Sequence, residues 1–235
     1  MLIEHQGKRP NIDPTAYVAP TAVICGDVAI GPRTHVSFGA VIEAHGAPVQ
    51  IGAECVVREN LNIRSRGRNA VEIGEHVLIG PQSSLKGCIV EDECFLATGV
   101  KVYQGAVIGR RTEVRIDGVV HVRSVLPPGS LVPIKWVAVG NPAQLFPPGK
   151  HEEIDAILAR MNFAEEVYGM ERQSGSGVED SALPVLISST IQSATSRQPA
   201  ACQISNGPCA CPKPHFMARS TCRAVAALSA RSTAL

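Results

Sequence analysis

The chain has 235 residues, a net charge of +1, 45% hydrophobic residues and only 4% aromatic residues. This balance argues against nucleic-acid or anionic membrane surfaces as partners, and it favours an interior lined by Ile, Val and Leu. Because no segment has the order of a signal peptide or the roughly 18 apolar residues of a membrane span, we expect a soluble, cytoplasmic protein.

An aliphatic residue recurs at steps of six through the first half of the chain. Two longer steps interrupt the series, from Ile42 to Ile51 and from Ile63 to Ile73. Glycine often follows the aliphatic residue directly, and a small or branched residue usually follows it four positions later. The recurrent positions are Ile12, Val18, Ile24, Ile30, Val36, Ile42, Ile51, Val57, Ile63, Ile73, Ile79, Leu85, Val90, Leu96, Val102, Ile108, Val114, Val120 and Leu126.

A period of six fits neither an amphipathic helix nor strand alternation carried through hairpins. It is typical of a parallel β-helix, in which each hexad is a short strand plus a corner and the aliphatic side chains stack inside. The sequence therefore predicts an all-β solenoid of about six or seven coils. Extra residues leave a solenoid only at a corner, so residues 43–50 and 64–72 are predicted to protrude as surface loops.

The repeat ends after Leu126, where the Pro- and Gly-rich segments PPG and GNPAQLFPPG follow. Apolar residues spaced three and four apart then predict an amphipathic helix that packs on the β-helix. Beyond it no period survives, which favours a disordered tail. The predicted organisation is a β-helix with its closing segment over 1–149, a C-terminal helix over 150–171 and a tail over 172–235.

The eight cysteines form two groups of four. In a reducing compartment, the first group is expected to be free thiols: Cys25, Cys55, Cys88 and Cys94. The second group lies in the tail: Cys202, Cys209, Cys211 and Cys222. Together with His215 these residues are of the types that bind zinc, but they lack paired C-x-x-C spacing, so no metal site is predicted there.

Residues 1 to about 170 resemble the γ-class carbonic anhydrase-like branch of the hexapeptide-repeat superfamily. The resemblance implies a left-handed parallel β-helix and a homotrimer with sites at the subunit interfaces. The motifs that carry it are the hexad series, CGDVAIG at 25–31, AVIEAHGAPVQIG at 40–52, IGPQSSLKGC at 79–88, and GNPA at 140–143 followed by a helix.

Enzymes of that family bind zinc with three histidines, and the zinc makes hydroxide available to attack carbon dioxide. One histidine ends the coil corresponding to RENLNIRS, and two belong to a G-H-x-x-x-x-H-G-C motif. The matching positions here hold Arg64, Pro81 and Lys86. Proline has no side-chain lone pair, and protonated Arg and Lys are donors only. The zinc ligands are therefore not retained, and no cofactor is expected.

Positive charge stands where the zinc ligands would be. The family's Gln-Asp pair is Arg58-Glu59 here, so Arg58, Arg64 and Lys86 are predicted to bind a small anion such as a carboxylate, bicarbonate or phosphate. In the alternative, Arg64 pairs with Glu59 or another carboxylate across the subunit interface and Lys86 is solvated. Tyr103, directly after a recurrent aliphatic residue, is expected to point outward.

Histidines elsewhere offer a rebuilt metal site as a further alternative. The family's Arg-Gly-Asp is Glu43-Ala44-His45 here, and a site would draw on His45, His76 or His121 together with Glu59 or Glu43. These histidines lack H-x-x-H spacing and lie on different coils. Surface histidines are the simpler interpretation.

Coenzyme A-dependent acyl transfer is the competing activity, because hexapeptide-repeat acyltransferases resemble this chain in their aliphatic ladder. His45 or His121 would act as general base. The nucleotide phosphates would contact Arg110, Arg111, Arg115 and Lys135. A non-catalytic structural or regulatory trimer is the third alternative. No catalytic residue is assigned, and the candidates are Glu59, His45 and His121.

Overall fold

The computed structural model describes residues 1–158, except for the side chain of Arg66. Successive strands pass in turn to three sheets, which form the sides of a solenoid. All strand pairings are parallel except the last, between β22 and β23. The predicted parallel β-helix is confirmed, and its left-handedness stays a prediction.

The first sheet has nine strands and carries the candidate site. Its strands are β1 (Leu2–Ile3), β4 (Val23–Cys25), β7 (Val41–His45), β10 (Asn62–Arg66), β13 (Ser84–Lys86), β16 (Lys101–Val102), β19 (Val119–Val120), β22 (Val137–Val139) and β23 (Gln144–Phe146). The second sheet has seven strands, β2 (Asn11–Ile12), β5 (Val28–Ile30), β8 (Val49–Ile51), β11 (Val71–Ile73), β14 (Ile89–Val90), β17 (Val107–Ile108) and β20 (Val125–Leu126). The third also has seven, β3 (Tyr17–Val18), β6 (His35–Val36), β9 (Val56–Val57), β12 (Leu78–Ile79), β15 (Phe95–Leu96), β18 (Glu113–Val114) and β21 (Leu131–Val132).

The recurrent aliphatic residues form the core. Within the first sheet Ile24 pairs with Ile42, Ile42 with Ile63, and Ile63 with Leu85, and all four side chains are fully buried. Only the first coil departs from this pattern, because its aliphatic residues have neighbours on one side alone and stay partly exposed. Each buried Ile or Leu contributes about 1.5–3 kcal/mol of transfer free energy.

The small residues four positions after the aliphatic ones form a second interior column. Thr34 Oγ1 donates to the Gly52 carbonyl at 2.8 Å, and Ser83 Oγ donates to the Ala97 carbonyl at 3.1 Å. These bonds satisfy buried hydroxyls that would otherwise cost about 1–3 kcal/mol each.

Cys25, Cys55, Cys88 and Cys94 are free thiols. Burial raises the pKa of Cys88 to about 12, so that thiol stays protonated.

The two insertions are built into the sheet to a greater extent than predicted. They lengthen β7 and β10 to five residues each, and these strands pair along their whole length. Ser65 is buried between the insertions, where its Oγ accepts from the His45 amide at 3.1 Å and donates to the Ala47 carbonyl at 2.5 Å. Exposed residues occur at the tips, Gly46 and residues 67–68. The two insertions stack on each other because their backbone N–H and C=O groups form hydrogen bonds only when the adjacent coils are in register.

The C-terminal end of the solenoid is closed by β23, and Trp136 packs partly buried against the core. Helix α1 spans His151–Leu158 and has no fully buried residue. The rest of the predicted helix, the tail and its four cysteines lie outside the described residues. No helix in the described part of the chain is long and apolar enough to cross a membrane.

Glycine after an aliphatic residue allows neighbouring coils to approach closely. A Cβ at Gly80 would lie 2.5 Å from the Ala97 carbonyl carbon, and a Cβ at Gly52 would lie 2.5 Å from the Gly74 oxygen. Real Cβ atoms do not approach backbone at these distances, so the coils would have to separate.

We expect Gly80→Ala to lower the free energy of unfolding by about 3 kcal/mol, because the added methyl meets backbone that cannot rotate away. Gly67→Ala is the control, since its Cβ would meet nothing within 4 Å and only its backbone angle φ of +61° is unfavourable. Its cost should be about 1 kcal/mol. Urea denaturation of both variants measures the difference, and equal losses would show that coil spacing tolerates a methyl group.

Candidate functional site

Arg64 and Lys86 are neighbours on the outer surface of the first sheet. Arg64 on β10 is the register partner of Lys86 on β13, and each directly follows a buried aliphatic residue. Side chains alternate across a strand, so both point away from the core. Parallel strands lie about 4.8 Å apart, which brings the two cations within reach of one small ligand.

Pro81 occupies a different side of the solenoid. It lies in the turn between β12 of the third sheet and β13 of the first, five residues before Lys86. Arg64, Pro81 and Lys86 also supply no lone pair for a cation, so these positions do not fit zinc. Among the described residues, no group of three or more His, Cys, Asp or Glu side chains is arranged to hold a metal ion.

Glu43 is the carboxylate that pairs with Arg64. It lies one coil before Arg64 in register, and Arg64 Nη2 is 2.5 Å from Glu43 Oε2. The Nε2 atom of His45 lies 3.6 Å from the same oxygen. Burial, followed by the charge of Glu43, raises the pKa of the Cys25 thiol on the preceding coil. Within this chain the carboxylate that pairs with Arg64 is thus Glu43, and Glu59 pairs with Arg58 instead.

Lys86 has an aromatic neighbour instead of a carboxylate. Its Nζ lies 5.4 Å from the ring centroid of Tyr103, one coil further on, in a cation–π arrangement. The ring of Tyr103 in turn lies 5.7 Å from that of His121. Within the described residues no carboxylate lies within ion-pair distance of Lys86. The half-buried Lys86 ammonium thus has hydrogen-bond donors to offer an anion.

Arg58 belongs to a separate feature, which we call the apolar groove. This groove has a volume of about 500 Å³ and includes Pro81, Phe95, Ile116 and Ile134 in its lining, with Arg58 also present. The side chain of Arg58 is 3.1 Å from Glu59. A hydrogen bond from its own backbone amide and the nearby Arg58 hold the pKa of Glu59 below its usual range. The three predicted anion ligands are therefore separated. Arg64 and Lys86 lie on the first sheet, whereas Arg58 directly follows β9 of the third sheet.

The candidate histidines do not converge. His45 ends β7, where its ring meets that of His5 edge-on at 5.1 Å. His76 lies at a corner after β11, with its Nδ1 3.1 Å from Glu54. His121 follows β19, and burial lowers its pKa. Within the described part of the chain these side chains sit on separate parts of the solenoid and are not gathered around one metal position.

The cations proposed for nucleotide phosphates are mostly neutralised by adjacent carboxylates. Arg110 pairs with Asp92 at 2.6 Å, Arg111 with Glu93 at 2.7 Å, and Arg115 with Glu113 at 2.7 Å. Hydrogen bonds that Arg110 donates to Asp92 and Arg111 donates to Glu93 lower the pKa values of these two carboxyl groups. Lys135, also proposed, lies at an exposed corner after β21. The structure does not gather these cations around one cavity.

Sequence reasoning overlooked Glu43 as a partner and the apolar groove as a feature. The signal for Glu43 was present, because Glu43, Arg64 and Lys86 all directly follow an aliphatic residue and so share one column. The signal for the groove was weaker. Ile116 and Ile134 lie outside the hexad series, and their side chains are 47% and 55% exposed. Because apolar residues that face outward recur at no fixed spacing, the sequence does not show that these two lie together.

Curated proteins similar to this chain include carbonic anhydrases. The chain is 31% identical over 156 residues to γ carbonic anhydrase 1, a mitochondrial protein of Arabidopsis thaliana, covering 64% of this chain and 54% of that protein. It is 31% identical over 109 residues to a carbonic anhydrase of Geobacillus kaustophilus, covering 46% of this chain and 60% of that protein. The chain thus spans little more than half the length of these relatives.

A solved structure of a putative acetyltransferase from Bacillus cereus is also similar. It is 21% identical, with a TM-score of 0.46, and the match covers 67% of this chain and 90% of that one. No protein-family model matches the chain.

Imidazoles at Arg64 and Lys86 should create a metal site on the first sheet. The double variant Arg64→His and Lys86→His is expected to bind close to one zinc ion per subunit, because two register-paired imidazoles and the carboxylate of Glu43 would supply lone pairs on one surface. Elemental analysis after dialysis measures it. In the matched control Arg64→His is combined with Lys101→His, which places the second histidine one coil further on, opposite Ser84. Stoichiometric zinc in the unaltered protein would show that other residues bind the metal.

Proposed function

We propose that this γ-carbonic anhydrase-like hexapeptide-repeat protein binds a small anion at Arg64 and Lys86 and does not carry out zinc-dependent hydration of carbon dioxide. The observation that supports this most is the adjacency of two outward cations, one of which has no carboxylate partner among the described residues. The absence of zinc-dependent hydration is proposed because the side chains of Arg64, Pro81 and Lys86 do not bind zinc. A cytoplasmic location stays a prediction.

The two cations complement each other as anion ligands. The guanidinium of Arg64 offers a planar fork of N–H donors, and the ammonium of Lys86 offers three donors on a flexible stem. Hydrogen bonds between charged partners are about twice as strong as neutral ones. The Arg64 side chain is 45% exposed, so an ion from solvent can reach it, and the ring of Tyr103 lies beside the Lys86 ammonium.

We also propose that the chain assembles as a homotrimer. The apolar groove supports assembly, because Phe95, Ile116 and Ile134 are 38%, 47% and 55% exposed around one concave surface. Contiguous apolar surface of this kind usually marks a contact with another protein. Arg115 and Glu113, which pair at 2.7 Å beside the groove, would form a polar rim.

Acyl transfer is the second candidate, and one observation favours it. Burial lowers the pKa of His121, which keeps more of its imidazole neutral near pH 7, as a general base requires. Its ring lies beside Tyr103 on the same column as Lys86. Coenzyme A would then bind along the coils, and the chain would be a transferase. A non-catalytic regulatory trimer remains compatible with the same anion site.

We expect bicarbonate, acetate or phosphate to raise the thermal stability of the full-length chain. A ligand at about ten times its Kd adds about 1.4 kcal/mol to the free energy of unfolding. The increase should disappear in Lys86→Ala and persist in Lys101→Ala, a lysine one coil away whose Nζ donates to the Gly99 carbonyl at 3.1 Å. Stabilisation by coenzyme A with no response to small anions would instead favour acyl transfer.

The assembly proposal makes a separate prediction. Ile134→Asp should shift the molar mass in solution from that of three chains toward that of one, because it places a charge in the apolar groove. Ile89→Asp is the matched control, since Ile89 is 40% exposed on the second sheet, away from the groove. Light scattering after size exclusion measures both masses. A single-chain mass for the unaltered protein would contradict the homotrimer.

A further inference from the structure

Glu43, Arg64 and Lys86 form one column of charges on the first sheet, which we call the charged column. Their Cα atoms are register partners on β7, β10 and β13, and each directly follows a buried aliphatic residue. Arg64 therefore has a carboxylate on one side and an ammonium on the other. An anion bound to Arg64 therefore shares that guanidinium with the carboxylate of Glu43.

Glu43 Oε2 has an unusual environment for a surface carboxylate. The side chain is 23% exposed, and Oε2 itself is shielded from solvent. Arg64 Nη2 lies 2.5 Å from it, so this oxygen is already paired with the guanidinium. The other carboxylate oxygen, Oε1, is not shielded, and no described residue donates a hydrogen bond to it. Oε1 therefore has acceptor capacity for a ligand that reaches Arg64.

We infer that Glu43 determines the ligand class of the anion site, selecting oxyanions that keep a hydroxyl group, such as hydrogen phosphate. This inference rests on the proposed anion site. An ionised carboxylate only accepts hydrogen bonds, whereas Arg64 and Lys86 only donate them. A ligand that satisfies all three groups must accept from the cations and donate to Glu43. An anion without a proton would instead place its oxygens against the carboxylate.

Sulfate and inorganic phosphate test whether the hydroxyl group of the ligand matters, because both ions are tetrahedral. At about pH 8 phosphate is mainly a dianion, with the charge of sulfate and one additional O–H group. We therefore expect the chain to bind phosphate at least about tenfold more tightly than sulfate. Sulfate has no hydroxyl group to donate, so the Glu43 carboxylate would be left without a hydrogen bond from the ligand.

The test is isothermal titration calorimetry of the full-length chain with each ion at constant ionic strength. In Glu43→Gln the side-chain amide can donate to an oxyanion, so sulfate affinity should rise and the preference for phosphate should fall to about twofold or less. Glu43→Ala should lose the preference in the same way, which guards against a folding defect in either variant. Glu72→Gln, a matched change at an exposed position of β11, should keep the original preference.

The outcomes distinguish this inference from the proposed function. Binding of neither ion by the unaltered chain or by any folded variant would overturn the anion site itself. Equal binding of both ions by the unaltered chain would leave the site intact and overturn the role of Glu43. An increase in affinity for both ions in Glu43→Gln, with their ratio unchanged, would likewise overturn it, because Glu43 would then act by charge repulsion alone.

Discussion

The register between successive coils is the constraint on which the rest of this structure depends. Backbone hydrogen bonds between parallel strands fix every residue opposite its counterpart one coil away, as in the pairing of Ile42 with Ile63 and of Ile63 with Leu85. Positions with the same offset therefore stack in columns. Inside, the columns are aliphatic and bury apolar surface continuously. Outside, the same rule arranges whatever side chains the sequence places there, including charges.

The charged column follows directly from this rule. A zinc site needs lone pairs that converge on one cation, whereas Arg64 and Lys86 are donors and repel a cation. Two like charges on neighbouring strands, whose backbones lie about 4.8 Å apart, are unfavourable unless something negative lies nearby. Glu43 supplies that charge from the preceding coil, and a partly exposed pair of this kind contributes about 0.2–1 kcal/mol. Lys86 relies on the face of Tyr103, which leaves its charge available to a ligand.

The apolar groove and the charged column lie on different sides of one chain. Pro81 lines the groove, while Lys86, only five residues later, belongs to the column. The turn between β12 and β13 separates them by changing the sheet. One chain thus presents an apolar groove and a separate column of charges.

The sequence by itself determined the solenoid, because a hexad series of Ile, Val and Leu permits no other regular way to bury its apolar residues. It also determined that Arg64, Pro81 and Lys86 do not bind zinc, since that depends only on the chemistry of these side chains. It placed Glu43 and Arg64 at the same offset after an aliphatic residue, but it did not decide whether Arg64 pairs with Glu43, twenty-one residues away, or with Glu59, five residues away. The insertion at 43–50 lengthens the coil between Glu43 and Arg64. The folded register shows that Glu43 comes opposite Arg64, while Arg58 pairs with Glu59 and lines the groove, because hydrogen bonds between coils set which residues are neighbours in space.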